Sequence, residues 1–410
     1  MLITNIKYLV NVRKETKLLR GNALSELPVL ENAFLKINDN LIEDYGLMNE
    51  LKDDDFKDEI YDAKQATVLP SWCDSHTHLV FATTRENEFI DKIKGLSYAE
   101  IAAKGGGILN SAKKLNETSE EILLEQAQAR LNELILLGTG AIEIKSGYGL
   151  SVEGELKMLR VIQQLKKQNS IPIKSTFLGA HAFPALYKEN RTAYIDLIIN
   201  EMLPQITKEN LADYIDVFCE QGFFTQQETE RICKAGIEYG LKPKIHANQL
   251  NISGGVQAGC NTNAISVDHL ETIGDEEIQL LSQSNSPITT LLPGCSFFLN
   301  MQYAPARKLI ENNAAIALAS DFNPGSSPSG NMNFVVALAC IQLKMLPEEA
   351  INASTINGAF AMELQNEVGS ITKGKRANLI FTKPISSISL LPYSFATNLI
   401  DKIMINGNFI

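Results

Sequence analysis

Histidine is scarce in this chain, cysteine is scattered, and there is no excess of basic residues. Only five of 410 residues are histidine, and none falls in the first 75 or the last 141 positions. The six cysteines, Cys73, Cys219, Cys233, Cys260, Cys295 and Cys340, form no C-x-x-C pair. That argues against a zinc ribbon or a disulfide framework and leaves reduced, mostly buried thiols. A formal charge of −11 lacks the clustered Lys and Arg that nucleic acid or an anionic membrane requires, so neither is expected as a partner. No run of about 18 apolar residues occurs, and Met1–Lys7 has no apolar signal-peptide core. A cytoplasmic protein is expected. At 45% hydrophobic and 21% charged, the chain can bury a large core, and its length predicts one large domain with a smaller one.

Residues 1–65 read as short β segments with polar turns and an acidic stretch, Asp53–Asp55, most simply a solvated turn. The pattern returns past residue 368, so residues 1–65 and 368–410 are expected to form one composite β domain, a small β-sandwich. Between them, strand and helix patterns alternate, which is the mark of βα units. Eight strands are predicted: Thr67–Cys73, Ala141–Lys145, Ile173–Leu178, Ile215–Cys219, Lys244–His246, Ile265–Asp268, Ile288–Leu292 and Ile316–Ser320. A helix is predicted over Ser119–Leu137, capped by Thr118 with Glu121 and stopped by Gly138. The fold class is therefore α/β, with a (β/α)8 barrel over residues 66–367; a doubly wound open sheet is the alternative.

Reactive side chains fall at the ends of these strands. His76 and His78 follow the first, Lys145 and Tyr148 the second, His181 the third, Glu220 the fourth, His246 the fifth, His269 the sixth and Asp321 the eighth. Barrel active sites form at the C-terminal strand ends, so these residues are expected to converge. The period of two along a strand puts both imidazoles of His76-Thr77-His78 on one face. With His246 and Asp321 they make three nitrogens and a carboxylate, a set that suits Zn²⁺, Fe²⁺ or Mn²⁺ with a position left for water. Water bound to such an ion can have its pKa lowered to roughly 7 and become a hydrolytic nucleophile. His269 reads as an acid/base group beside that water, or else as a fourth nitrogen ligand or a core histidine. Without a Gly-Lys-Ser/Thr sequence, Gly105–Gly107 is not a phosphate loop. It reads as a lid or a substrate-facing loop.

Asp74–Phe81, Glu143–Leu150, Thr176–His181 and Asp321–Gly325 together resemble the imidazolonepropionase family of the amidohydrolase superfamily. The resemblance runs through almost the whole chain. It implies a metal-dependent hydrolase of the histidine-degradation route, opening the ring of 4-imidazolone-5-propanoate to N-formimidoyl-L-glutamate. It also implies one divalent or trivalent metal ion per subunit, zinc or iron, held by His76, His78, His246 and Asp321. Arg85, Tyr148, His181, Gln249, Asn323, Gly325 and Ser326 would face substrate or product, His269 would be catalytic, and the protein would be a homodimer.

Chemistry gives these types separate support. A substrate carboxylate calls for a cation, and Arg85 can offer it a forked pair of hydrogen bonds, unless it only pairs with Glu86 or Glu88. His181 could polarise the ring carbonyl. Related deaminases carry a glutamate where Gln249 stands, and an amide does not titrate. Proton transfer would then fall to His269 and Asp321. Deamination of a nucleobase or of a formimino acid is the rival reading, and a catalytically inactive barrel a third. Lys145 is expected in a buried ion pair or under the Tyr148 loop, and Glu220 as an acceptor for a ligand or substrate nitrogen.

Overall fold

The structure, a computed structural model, describes residues 1–57, 59–96, 100 and 104–410. Five strands open the chain: β1 (Leu2–Val10), β2 (Val29–Asn38), β3 (Leu41–Leu47), β4 (Ile60–Asp62) and β5 (Thr67–Pro70). Eight follow: β6 (Trp72–Asp74), β7 (Thr139–Lys145), β8 (Ile173–Ala180), β9 (Tyr214–Cys219), β10 (Lys242–Ala247), β11 (Ser266–His269), β12 (Ile288–Leu291) and β13 (Ile316–Leu318). They pair in sequence order, every pair parallel. Parallel strands covered by helices are buried on both faces, and β7, Thr-Gly-Ala-Ile-Glu-Ile-Lys, is buried at every residue. The ring closes just past the first and last strands, where Asp321 N donates to His76 O at 3.0 Å and His78 N to Phe322 O at 2.9 Å. This is the expected barrel.

Three more strands, β14 (Leu379–Thr382), β15 (Ile400–Ile405) and β16 (Asn408–Phe409), complete a second, mixed sheet in the order β16-β15-β14-β5-β1-β2-β3, with β4 on β1. The sheet folds back on itself. Ile42 N donates to Lys375 O at 2.8 Å and Ala377 N to Asn40 O at 2.9 Å, enclosing a separate core that includes Ile6, Leu35, Val68 and Phe381. The chain ends thus meet in one small β structure, as the sequence predicts.

Two local expectations change. Thr67–Cys73 is not one strand: β5 pairs with β1 and β14 in the small sheet, while β6 pairs with β7 in the barrel. At the break, Ser71 N donates to Asn378 O at 3.0 Å and Asn378 Nδ2 donates to Gly140 O at 2.9 Å. A Cβ on Gly140 would collide with Ser71, so glycine lets the two backbones approach. The helix Glu120–Leu136 is capped by Ser119, whose hydroxyl accepts from Ile122 N. Thr118 instead donates to Lys114 O at the end of the preceding helix. Gly138, at φ +100°, stops the helix as expected.

Candidate metal centre

Ring closure assembles the centre. The segment beyond β6 runs between β7 and β13: Thr77 O accepts from Lys145 N at 2.8 Å on one side, and His76 O and His78 N bond to the Asp321–Phe322 backbone on the other. This extended backbone points His76 and His78 to the same interior. Asp321 arrives at φ +54°, a left-handed conformation costly for a non-glycine residue. Its Oδ1 lies 3.6 Å from His76 Nε2 and 3.5 Å from His78 Nε2, and His78 Nε2 is 3.4 Å from His246 Nε2. Two ligands at roughly 2.1 Å from a tetrahedral ion stand about 3.4 Å apart. The spacing fits one shared metal. His76 Nε2 is also buried without a hydrogen-bond partner, as a ligand atom facing an ion would be.

Two acids set the other side of these rings. His76 Nδ1 lies 2.6 Å from Asp268 Oδ2, and His246 Nδ1 lies 2.9 Å from Asp216 Oδ2. The carboxylate on His76 Nδ1 holds the proton there and leaves Nε2 a lone pair, while His246 Nδ1 stands at ion-pair distance from Asp216 without an aligned hydrogen bond. Burial also keeps His76 and His78 well below the usual imidazole pKa, with Lys145 and the neighbouring histidines adding to it, which favours the neutral, ligating form of both. Lys145 Nζ sits between the acids and Glu143, 2.6 Å from Glu143 Oε1 and 2.8 Å from Asp216 Oδ2. Burial works against its charge, yet the surrounding acids hold its pKa above the ordinary lysine value. The expected buried ion pair is there. Asp216, Asp268, Glu143 and Lys244, which completes the cluster against Glu143, were not singled out in the sequence. Their signal was available: Glu143-x-Lys145 and Lys244-x-His246 place charges at alternate positions of apolar strands.

A cavity of about 490 Å³ opens over the centre. His78, His181, His246, His269 and Asp321 line it together with Arg85, Tyr148, Gln249, Asn323, Gly325 and Ser326. His76 lies beneath. Arg85 pairs with Glu88, one of the two partners its sequence neighbourhood offers, while its Nε is buried with no acceptor among the described residues. A Cβ on Gly325 would strike the guanidinium, so glycine gives Arg85 its place. Lys92, missed in the sequence, also lines the cavity, with Nζ 3.3 Å from Gly325 O. It lies seven residues past Arg85, on the helix Glu86–Ile93 that Arg85 caps.

His181 Nδ1 is 3.0 Å from Gly147 O. A carbonyl only accepts, so the proton is on Nδ1 and Nε2 offers a lone pair. Burial and His246 push its pKa down to about 3. A neutral ring of this tautomer accepts a hydrogen bond and does not donate one to a carbonyl, which redirects the expected polarising role. Asn323 folds its own turn: Oδ1 accepts from Gly325 N and Ser326 N, each at 2.8 Å, and Nδ2 donates to Asp321 O and Ser326 Oγ, each at 2.7 Å. Glu220 takes Leu250 N at 2.8 Å and Asn251 Nδ2 at 3.2 Å. It props the loop carrying Gln249 and faces neither ligand nor substrate. Gln249 Nε2 rests 3.3 Å from Cys295 Sγ.

His269 ends β11 at φ +87°, followed by Leu270 at +68°, two strained residues in succession. Its Nδ1 is 3.3 Å from Glu271 Oε1, and it converges with His76 and Asp321. Burial opposes its charge, but Glu271, Asp321 and Asp268 raise its pKa to about 9. At the cavity edge, Gly107, at φ +84°, donates from its N–H to Glu88 Oε1 at 3.0 Å. That places Gly107 beside the Arg85–Glu88 pair.

A barrel carrying a His-x-His pair, a later histidine and a final-strand aspartate is the architecture of metal-dependent hydrolases, and the amidohydrolase family matches residues 67–410. The chain belongs to that family. It is 58% identical over 410 residues to the imidazolonepropionase of Flavobacterium johnsoniae, covering 100% of this chain and 99% of the relative. With that of Christiangramia forsetii it shares 55% over 411 residues, 100% of both. Among solved structures it is similar to guanine deaminase of E. coli, with TM-score 0.73, 13% identity and coverage of 100% and 99%. The 5-methylcytosine deaminase of Klebsiella pneumoniae gives TM-score 0.74, 14% identity and coverage of 100% and 97%. At such identities the deaminases share the fold alone. Within the amidohydrolases, the full-length identity groups the chain with the imidazolonepropionases.

Proposed function

We propose that His76, His78, His246 and Asp321 hold one zinc or iron ion per subunit. Around it the chain hydrolyses the ring C–N bond of 4-imidazolone-5-propanoate to N-formimidoyl-L-glutamate, the third step from histidine to glutamate. The observation that carries this reading is one cavity holding both the convergent histidine–aspartate cluster and a guanidinium with a buried, unused N–H. The metal would supply the Lewis acidity that makes water a nucleophile near neutral pH.

The chain's own residues do the rest. Arg85, with Lys92 behind it, binds the propanoate and orients the ring; Tyr148 and Gln249 position it, and Ser326 and the backbone at Gly325 close the same wall. His181 Nε2 accepts a ring N–H. With a metal ion bound, its positive charge would offset the acids that hold a proton on His269; the ring then takes a proton from the attacking water at Nε2 as the new C–O bond forms, while Glu271 steadies Nδ1, and returns it to the ring nitrogen as the C–N bond breaks. Asp321 shares the transfer, and Asn323 shapes the turn that presents it. We also propose residues 66–367 as the catalytic unit, residues 1–65 with 368–410 as its composite companion, a homodimer, and a cytoplasmic location without nucleic-acid partners. Among the described residues, no helix is long and apolar enough to cross a membrane.

The test is a metal-defined assay. Turnover of 4-imidazolone-5-propanoate that depends on added zinc or iron is expected. Ammonia release from guanine or cytosine, with the imidazolone untouched, would select the deaminase reading instead.

A further inference from the structure

Glu143, Lys145, Asp216, Lys244 and Asp268 are five formally charged side chains, each with 0% exposure. Two lysines against three acids leave a formal charge of −1 behind the histidine rings. Burying that many charges is costly unless each is tightly partnered. Lys244 is tied to Glu143, to Ser75 O at 3.0 Å and to Ala361 O at 3.2 Å, leaving Lys145 as the cation shared by the other acids. Its Nζ stands 2.8 Å from Asp216 Oδ2 and 3.8 Å from Asp268 Oδ2. Those are the same two oxygens that meet His246 Nδ1 at 2.9 Å and His76 Nδ1 at 2.6 Å. Asp216 Oδ1 also accepts from His246 N at 3.1 Å, fixing ring and backbone together.

We propose that Lys145 is a positioning residue for the metal centre: one ammonium holds Asp216 and Asp268, and through them sets the tautomer and aim of His76 and the placement of His246 at once. The two rings come from strands at different places in the barrel, β10 and the extension of β6. One cation between them makes their presentation a joint property. This rests on the reading of His76, His78, His246 and Asp321 as ligands.

The experiment measures zinc release from the loaded enzyme to a chromophoric chelator, for wild type, Lys145→Met, Asp268→Asn and the double variant. Nitrogen-15 NMR of the imidazoles reports the tautomers. Each single variant is expected to weaken zinc binding roughly 10–100-fold, the range for lost outer-shell partners, with mixed Nδ1–H and Nε2–H forms at His76. The double variant is expected to lose no more than the weaker-binding single variant, since both act through one chain of contacts. Unchanged zinc affinity in folded Lys145→Met, or losses that simply add, overturns the proposal. If Lys145→Met alone does not fold, the double variant, which removes one charge of each sign, is compared with Asp268→Asn. Equal affinity supports the proposal, and a further tenfold loss overturns it. Wild-type protein that binds no stoichiometric zinc or iron would instead remove the ligand reading itself.

Discussion

Replacing Arg85 by lysine keeps a positive charge near the substrate carboxylate but removes the fork. In the structure one guanidinium nitrogen is committed to Glu88, while Nε is buried with no acceptor. Both side chains are only 13% exposed, so solvent screening is weak. A charge-assisted hydrogen bond contributes about 1.5–3 kcal/mol. Losing one corresponds to a fall of about 10- to 150-fold in kcat/KM, expressed mainly in KM because the reacting ring lies at the metal end of the cavity. Arg85→Ala should fall further, since it leaves the Glu88 carboxylate facing the substrate's own. Adding Glu88→Gln to that variant should recover part of the loss. Steady-state kinetics on 4-imidazolone-5-propanoate, with metal content measured in the same preparations, checks this. A KM within twofold of wild type for Arg85→Lys, at full metal content, would show that Lys92 or another group holds the carboxylate.

His246→Ala should release the metal and abolish turnover, and elemental analysis showing full occupancy would remove His246 from the centre. His269→Ala should keep the metal while lowering kcat by about 10²–10⁴, the usual contribution of a general acid–base group; loss of metal would make His269 a ligand. The metal-free protein should show a pH signature of the His269–Glu271 pair. A histidine pKa raised to about 9 in the fold contributes stability that is complete below the unfolded value of roughly 6.5 and is lost as pH rises through about 9. Melting temperatures of chelated protein should therefore decline across that window more in wild type than in Glu271→Gln, and parallel curves would count against the pair.

How much of this could be read from the chain depends on range. Buried parallel strands carry apolar residues on both faces, so seven of the eight barrel strands stood out as short segments with Ile, Val, Leu or Phe between helical stretches, even where Lys, Glu or Asp interrupts them. The first did not, because Thr67–Pro70 and Trp72–Asp74 are equally apolar while Ser71 passes the chain between sheets, and no local pattern reveals a change of partner. The centre itself was legible because His-x-His at a strand end and Asp-x-Asn-Pro-Gly at another combine residue type with position. The acids behind it were not. Asp216 and Asp268 matter through partners thirty and almost two hundred residues away, His246 and His76. Glu220 misled for the same reason: it sits at a strand end like the others, yet its oxygens are taken by Leu250 N and Asn251 Nδ2, about thirty residues further on. His181 was placed in the cavity correctly, but its hydrogen-bonding sense hangs on one carbonyl, Gly147, that only the fold brings near.

The single residue between β5 and β6 has a practical meaning for anyone cutting or fusing this chain. The strand that leads into His76 and His78 pairs with β7, and Asn378 ties its start to that neighbour by bonding to Ser71 on one side and to Gly140 on the other. The last part of the sequence thus braces the strand that leads to the proposed ligands, and a barrel trimmed of residues 368–410 would keep His76, His78, His246 and Asp321 yet lose that brace at Ser71. A stop codon near the end should therefore behave, in a metal assay, like a mutation in the active site.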